Sequence, residues 1–256
     1  MASRPLLTLD RVTKRYGDAS VLADVSLEIA AGSFVALVGA SGSGKTTLLK
    51  TINRLRPADG GTILLDGRDV AGIPPAELRR RIGYVFQGIG LFPHMSVAEN
   101  IAIVPRLTGV DGAQRAARVA ELLALVALPA EMARRYPGAL SGGQAQRVGM
   151  ARALAASPAL MLMDEPFGAL DPVTRDEIAR AYRALHDKLG LTTVMVTHDM
   201  TEALLIADRI LVLDAGRIVA DSTPAELIAG HADPAVAALI AVPRRQAERL
   251  AELARR

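Results

Sequence analysis

"SFVALVGASGSGKTT", residues Ser33 to Thr47, decides the fold of this chain. An apolar run, SFVALVG, has the composition of a buried strand and enters a glycine loop without a break. The following TTLLKTINRL has helical spacing. Gly39, Gly44, Lys45 and Thr46 stand at the G-x-x-x-x-G-K-[ST] positions, in the strand–loop–helix context that this pattern requires. The loop residues Gly39, Ala40, Ser41, Gly42, Ser43 and Gly44, with Thr47 behind them, are expected to wrap backbone N–H groups around a nucleotide phosphate. Lys45 would reach the β- and γ-phosphates, and the Thr46 hydroxyl would ligate Mg²⁺.

LLTLDRVTKRY and VSLEIA alternate apolar and polar residues and read as an N-terminal antiparallel hairpin or small sheet. GGTILLDGRDV reads as a strand and turn, and RRIGYVFQ as a short strand ending at Gln87. From about residue 88 to 156 the pattern becomes mostly helical. SVAENIAIV opens with Ser96 and Glu99 in capping-box spacing, AQRAARVAELLALVAL is an amphipathic helix, and SGGQAQRVGMARALAA is another. The strands ALMLMDEP, TTVMVTHD and RILVLDAGRIV follow. Asp171–Pro172 and Thr223–Pro224 each look like an N-cap with proline at the first helical position, and PRRQAERLAELARR, with Arg244, Arg245, Arg249, Arg255 and Arg256, reads as a helix. These features predict an α/β fold: a phosphate-loop core of mixed sheet, an N-terminal antiparallel β-subdomain and an inserted helical subdomain. The expected organisation is one domain over 1–240, with the insert at about 88–156, and a helical tail over 241–256.

Composition narrows the class. The chain has 256 residues, half of them hydrophobic, and no cysteine, so disulfides are excluded and a reducing compartment is expected. No apolar run at the N-terminus is long enough for a signal peptide. No stretch approaches the roughly 20 apolar residues needed to span a bilayer. Thirty basic residues face 27 acidic ones, interspersed, for a formal charge of +3; no basic block points to nucleic acid.

A second set of residues completes a candidate nucleotide site. LMLMDEP puts Asp164 and Glu165 at the end of an apolar strand, where carboxylates are costly unless a cation meets them. Asp164 would hold Mg²⁺ through its water shell, and Glu165 would polarise the water that attacks the γ-phosphate. The amide of Gln87 could ligate Mg²⁺ or touch that water; a polar strand terminus is the plain alternative. His198, in VMVTHD, could bond the γ-phosphate and orient Glu165, or be a structural histidine. Tyr16 could stack on adenine or be an ordinary sheet residue. Asp171 is a helix N-cap that we also expect to touch a neighbouring subunit. LSGGQ, residues 140 to 144, is a second place where a helix opens on glycines, with Ser141, Gly142, Gly143 and Gln144 offering another anion site.

Together the phosphate loop, Gln87, LSGGQ, LMLMDEP, Asp171 and His198 resemble the nucleotide-binding subunit of an ABC transporter, in family order and spacing over about residues 5 to 230. The resemblance explains why one chain carries two anion sites. It implies two subunits packed head to tail, each ATP lying between the phosphate loop of one and the LSGGQ of the other. It also implies a groove beside the glutamine loop that receives a cytoplasmic helix of a transmembrane permease, with Leu91, Phe92 and Met95 as candidate apolar contacts. A solute-binding protein would act indirectly, through the permease. The expected place is the cytoplasmic face of the inner membrane, peripheral through the permease. YVFQGIGLFPHMSVAENIAIVPRLTG looks like the ATPases of quaternary-amine importers for glycine betaine, choline or carnitine. Two departures are Gly88, where members often have a second glutamine, and Val110, where they often have tryptophan. Some members carry a pair of regulatory nucleotide-sensing domains after the ATPase; the end at Arg256 leads us to expect none in this subunit. The alternative is the ATPase of a polar amino-acid importer. A soluble non-transport ABC ATPase ranks last, because the interval from Lys45 to Ser141 is too short for a long coiled-coil insert.

Overall fold

A computed structural model of the protein describes residues 5–255. The first four residues of the stretch searched for a leader, and Arg256 of the arginine-rich helix, lie outside the described residues. In chain order the elements are β1 (Pro5–Tyr16), β2 (Ala19–Ala30), β3 (Phe34–Val38), α1 (Lys45–Ile52), β4 (Gly60–Leu65), β5 (Arg68–Asp69), α2 (Pro75–Arg80), β6 (Ile82–Val85), α3 (Val97–Leu107), α4 (Gly112–Leu125), α5 (Gly142–Leu154), β7 (Leu160–Asp164), α6 (Pro172–Leu189), β8 (Thr193–Val196), α7 (Met200–Ile206), β9 (Arg209–Asp214), β10 (Arg217–Ser222), α8 (Pro224–Ala229) and α9 (Pro234–Ala254). The chain forms two compact units, residues 1–69 with 196–256, and residues 70–195.

The first unit holds an antiparallel sheet of order β2-β1-β4-β5. Leu7 and Leu9 pair with Ile29 and Leu27 of β2, and all four are buried. Strict alternation would next turn Arg11 inward. Instead the register shifts between Leu9 and Val12, Arg11 adopts φ +49°, and Val12 takes the buried place opposite Val25. This bulge keeps an arginine out of the core and lets Val12 contribute about 1.5–3 kcal/mol of burial. In the same unit β3 runs parallel to β9, and β9 antiparallel to β10, which makes the sheet mixed. All five residues of β3 are buried, as a strand covered on both faces must be. The Asp208 carboxylate accepts from Phe34 N at 2.8 Å and fixes the start of β3. α9 begins at Pro234, upstream of the PRRQ stretch, because Asp233 caps it by accepting from Ala235 N and Val236 N. It runs through residue 240 without a break. Val236 and Ile240 are buried, whereas Leu250 and Leu253 are exposed.

The second unit has the strand order β8-β7-β6, with β6 and β7 parallel: Ile82 pairs with Leu160 and Tyr84 with Leu162. α3, α4 and α5 pack on one another and α5 packs against β6 and α6. The predicted capping box is present: Glu99 N donates to Ser96 Oγ, and Ser96 N donates to the Glu99 carboxylate at 2.7 Å. α5 is not amphipathic: from Ala145 to Leu154 nearly every residue is buried. Inside this unit the Tyr182 hydroxyl bonds Thr193 Oγ1 at 2.8 Å and His186 Nδ1 meets the same oxygen at 3.1 Å, tying α6 to β8. Burial pushes the Tyr182 phenol up from its ordinary pKa. Among the described residues no helix is long and apolar enough to cross a membrane.

Candidate nucleotide-binding site

The first unit positions the phosphate loop, Tyr16 and His198. β3 delivers the chain into the loop at Gly39, which has φ +151°. A Cβ there would lie 2.1 Å from Leu213 O and 2.9 Å from Ser43 Oγ, so only glycine lets the loop sit this close to β9. Gly44, at φ +106°, precedes α1, and no side chain caps that helix. A helix that opens behind a glycine loop with no side-chain cap is the arrangement that suits phosphate. Ala40, Ser41 and Gly42 are exposed along the loop, and Ser43 is buried. Lys45 is only 7% exposed; its ammonium donates to Gly39 O and Ala40 O, each at 2.8 Å, and to Ser43 Oγ at 3.5 Å. Thr46 and Thr47 follow in the first turn of α1, half-buried. Tyr16 ends β1 with 44% of its surface exposed, and the Lys14 ammonium sits 5.5 Å from its ring centroid.

His198 does not end a strand as expected. β8 stops at Val196; Thr197 N then donates to Leu37 O at 3.2 Å, which holds this segment beside β3, and His198 is exposed in the turn. Asp199 ends the turn by accepting from Thr201 N at 2.9 Å and so starting α7. The tertiary bond to β3 and the cap decide where the strand ends, not the apolar run.

The second unit positions Gln87, Asp164, Glu165, Asp171 and the LSGGQ residues. Here too the strand is shorter than the sequence suggests: β6 ends at Val85, and Phe86 and Gln87 project beyond it. The Gln87 amide Nε2 donates to Glu165 Oε2 at 3.1 Å. Glu165 itself leaves β7 with φ +45°, so Asp164 is the last strand residue. Asp164 is 3% exposed and accepts from the Tyr84 hydroxyl at 3.2 Å. Burial first, and the Asp164 charge second, push the Tyr84 phenol well above its ordinary pKa.

After Gln87 come three consecutive left-handed residues, Gly88, Ile89 and Gly90, with φ +79°, +66° and +58°. A β-branched residue in that region is strained. Arg152 of α5 holds the turn, donating to Gly90 O at 2.6 Å and Ile89 O at 3.1 Å, while burial lowers its pKa. The segment beyond is pinned by Asn100, whose amide donates to Phe92 O, Met95 O and Ser96 O. Phe92 is exposed, and Leu91 and Met95 are half-buried.

Ser141 is the N-cap of α5 and forms a capping box with Gln144: Gln144 N donates to Ser141 Oγ at 3.3 Å, and Ser141 N to Gln144 Oε1 at 3.0 Å. The first glutamine of this helix is thus a local structural partner of the serine. Gly143 has a packing reason as well, since a Cβ would lie 2.7 Å from Thr174 Cγ2 of α6. Gly142 is exposed. Asp171 caps α6, accepting from Thr174 N at 3.1 Å; the Thr174 hydroxyl and N–H hold its carboxyl below the usual range.

The donor types fit the expected ligands. A glycine loop opening an uncapped helix, with a lysine folded over it, fits a polyphosphate. A carboxylate as buried as Asp164 fits a hard cation. Among the described residues no three His, Cys, Asp or Glu side chains gather into a metal site of their own. The sequence reading missed Tyr84 and Arg152. Nothing local marks either; the Ser141–Gln144 box, by contrast, was readable from its i, i+3 spacing.

Comparison with known proteins decides the family, because residues 22–168 match the description "ABC transporter". The chain belongs to the ABC transporter family. ABC relatives include the choline transport ATP-binding protein OpuBA of Bacillus subtilis, 50% identical over 240 residues, which make up 93% of this chain and 63% of that protein. The glycine betaine uptake system ATP-binding protein YehX of Escherichia coli is 48% identical over 223 residues, 87% of this chain and 72% of that one. Thus the chain spans less than two thirds of the length of OpuBA. Among solved ABC structures, the dimeric post-hydrolysis state of the ATP-binding cassette MJ0796 bound to ADP and Pi is 35% identical, with a TM-score of 0.75, covering 85% of this chain and 98% of that one. The α/β cassette fold of the ABC ATPases is therefore the fold of this protein.

Proposed function

We propose that the protein is the ATP-hydrolysing subunit of an ABC importer for quaternary-amine osmoprotectants of the glycine betaine, choline and carnitine type. The observation that carries this reading is the presence in one chain of two helix N-termini suited to anions, the uncapped α1 and the serine-capped α5. A single subunit needs one for its own nucleotide; the second suits the nucleotide of a partner copy. Lys45 and the loop Gly39–Thr47 bind and orient the phosphates. Thr46, Gln87 and Asp164 would hold Mg²⁺, which when bound neutralises phosphate charge. Glu165 takes up the proton of the attacking water; the amide of Gln87, 3.1 Å from it, aligns its carboxylate. His198 bonds the γ-phosphate and Tyr16 stacks on adenine. Ser141, Gly142, Gly143 and Gln144, with Asp171, serve the nucleotide of the second copy.

The permease would dock on the second unit, where a groove of about 550 Å³ runs between α3 and α4, lined by Met95, Ala98, Ala102, Val119 and Leu123 with Arg106 among them. Small side chains leave room for a helix. Such docking would keep the subunit on the cytoplasmic face of the membrane, with the solute-binding protein reached only through the permease. Cargo rests on similarity to OpuBA and YehX, because solute does not touch an ATPase subunit. The test is reconstitution with the cognate permease and solute-binding protein in liposomes. Stimulation of ATP hydrolysis by glycine betaine but not by a polar amino acid is expected. The reverse pattern transfers the subunit to the amino-acid importers.

A further inference from the structure

The parallel register of β6 and β7 brings Tyr84 opposite Leu162. Side chains alternate along a strand, so Tyr84, Leu162 and Asp164 share one face of the sheet. Asp164 then stands on the diagonal from Tyr84, a separation that a long aromatic side chain spans. The hydroxyl arrives 3.2 Å from Asp164 Oδ2. An ionised carboxylate only accepts, so the phenol is the donor. The Tyr84 ring is held in turn by Phe86, whose ring centroid is 4.5 Å away at a tilt of 52°. Phenylalanine at position 84 would fill the same space, yet it could give Asp164 nothing. Packing therefore does not explain the hydroxyl.

We propose that Tyr84 is a positioning residue for Asp164: its hydroxyl fixes the plane of that carboxylate and so tunes the site toward Mg²⁺ over larger divalent cations. The inference rests on Asp164 serving the metal of the bound nucleotide. Mg²⁺ demands near-ideal octahedral geometry and keeps several waters that a carboxylate such as Asp164 must meet in place, whereas larger ions tolerate a carboxylate that swings. Partners that orient metal ligands commonly matter by about 10–100-fold in metal affinity. A wandering Asp164 should therefore cost Mg²⁺ more than Mn²⁺.

The experiment uses the full chain loaded with ADP. Mn²⁺ binding is followed by electron paramagnetic resonance, and Mg²⁺ affinity by competition. Tyr84→Phe is expected to weaken Mg²⁺ roughly tenfold, to weaken Mn²⁺ less, and to leave ADP affinity in the presence of EDTA unchanged. Asp164→Asn is expected to weaken both metals. Parental Mg²⁺ affinity in Tyr84→Phe, alongside weakened metals in Asp164→Asn, overturns the role of Tyr84 and leaves the assignment of Asp164 standing. Equal weakening of both metals in Tyr84→Phe marks a packing role and overturns it as well. Parental affinities in Asp164→Asn remove the premise, and the inference falls with it. Should Tyr84→Phe melt early, the Mg²⁺-to-Mn²⁺ ratio still decides, since it does not depend on the folded fraction.

Discussion

Glu165 leaves β7 in a left-handed conformation and finds the Gln87 amide, so a single backbone angle separates it from the buried Asp164 one residue earlier. Two adjacent carboxylates thereby acquire different surroundings and are suited to different work, one toward a cation and one toward water. Glu165→Gln keeps size and a carbonyl acceptor for the Gln87 amide but removes the proposed proton acceptor. We expect turnover to fall about 10²–10⁴-fold with nucleotide affinity preserved; a colorimetric phosphate assay beside equilibrium binding checks both. At Gly39 the constraint is steric rather than chemical. Gly39→Ala sets a methyl 2.1 Å from Leu213 O, and relieving that clash should cost about 1–3 kcal/mol and displace the loop. A lower urea midpoint together with weakened ATP binding is the expected outcome, and an unshifted midpoint would contradict the close approach of loop and strand.

Elements in this protein start where local chemistry starts them. Ser96, Ser141 and Thr223 each cap a helix, and the backbone N–H of each donates a reciprocal bond to the side chain three positions on. Ser96→Ala should therefore cost about 1 kcal/mol in denaturant unfolding. The boxes also set a pH dependence. Bonds from Ser96 and Thr223, backbone first, hold the Glu99 and Glu226 carboxyls below the usual range. A carboxyl depressed in the folded state stabilises it above its unfolded pKa, near about 4.3, and that contribution is lost as pH falls through the lower folded value. Stability should decline below about pH 4.3, and the decline should be shallower in the Ser96→Ala, Thr223→Ala double variant; parallel urea melts between acid and neutral pH read this directly. For α5, Ser141→Arg places a long cation where the proposed second copy's phosphate would meet the helix. Nucleotide binding by the isolated subunit should survive while hydrolysis disappears, and unchanged turnover counts against a composite site.

The whole-molecule prediction concerns the pairing of two copies. If ATP joins them, Glu165→Gln in saturating MgATP should show by light scattering twice the mass of one chain, returning to one on nucleotide removal; a mass of one chain throughout would sink the proposal. Much of what leads to that prediction is legible in the sequence alone. The phosphate loop, the caps at Ser96, Asp171 and Thr223, and the buried strands β3 and β7 depend on residues within a few positions of one another, where backbone angles, capping oxygens and apolar runs act locally. Strand ends were less legible: β6 and β8 stop short of Gln87 and His198, because an apolar run does not record which partner takes the next backbone group. Least legible were the pairings across the chain. Tyr84 with Asp164 spans 80 positions and Gln87 with Glu165 spans 78; the Arg152 clamp on the Gly88–Gly90 turn spans 62 at Gly90. Residues close together in the chain were enough to mark the candidate phosphate loop and the helix starts, since covalent neighbours dictate both. Which hydroxyl, amide and guanidinium stand against Asp164, Glu165 and the Gly88–Gly90 turn is settled by the folded chain, because strand register and helix packing, not propensity, choose contacts between residues so far apart.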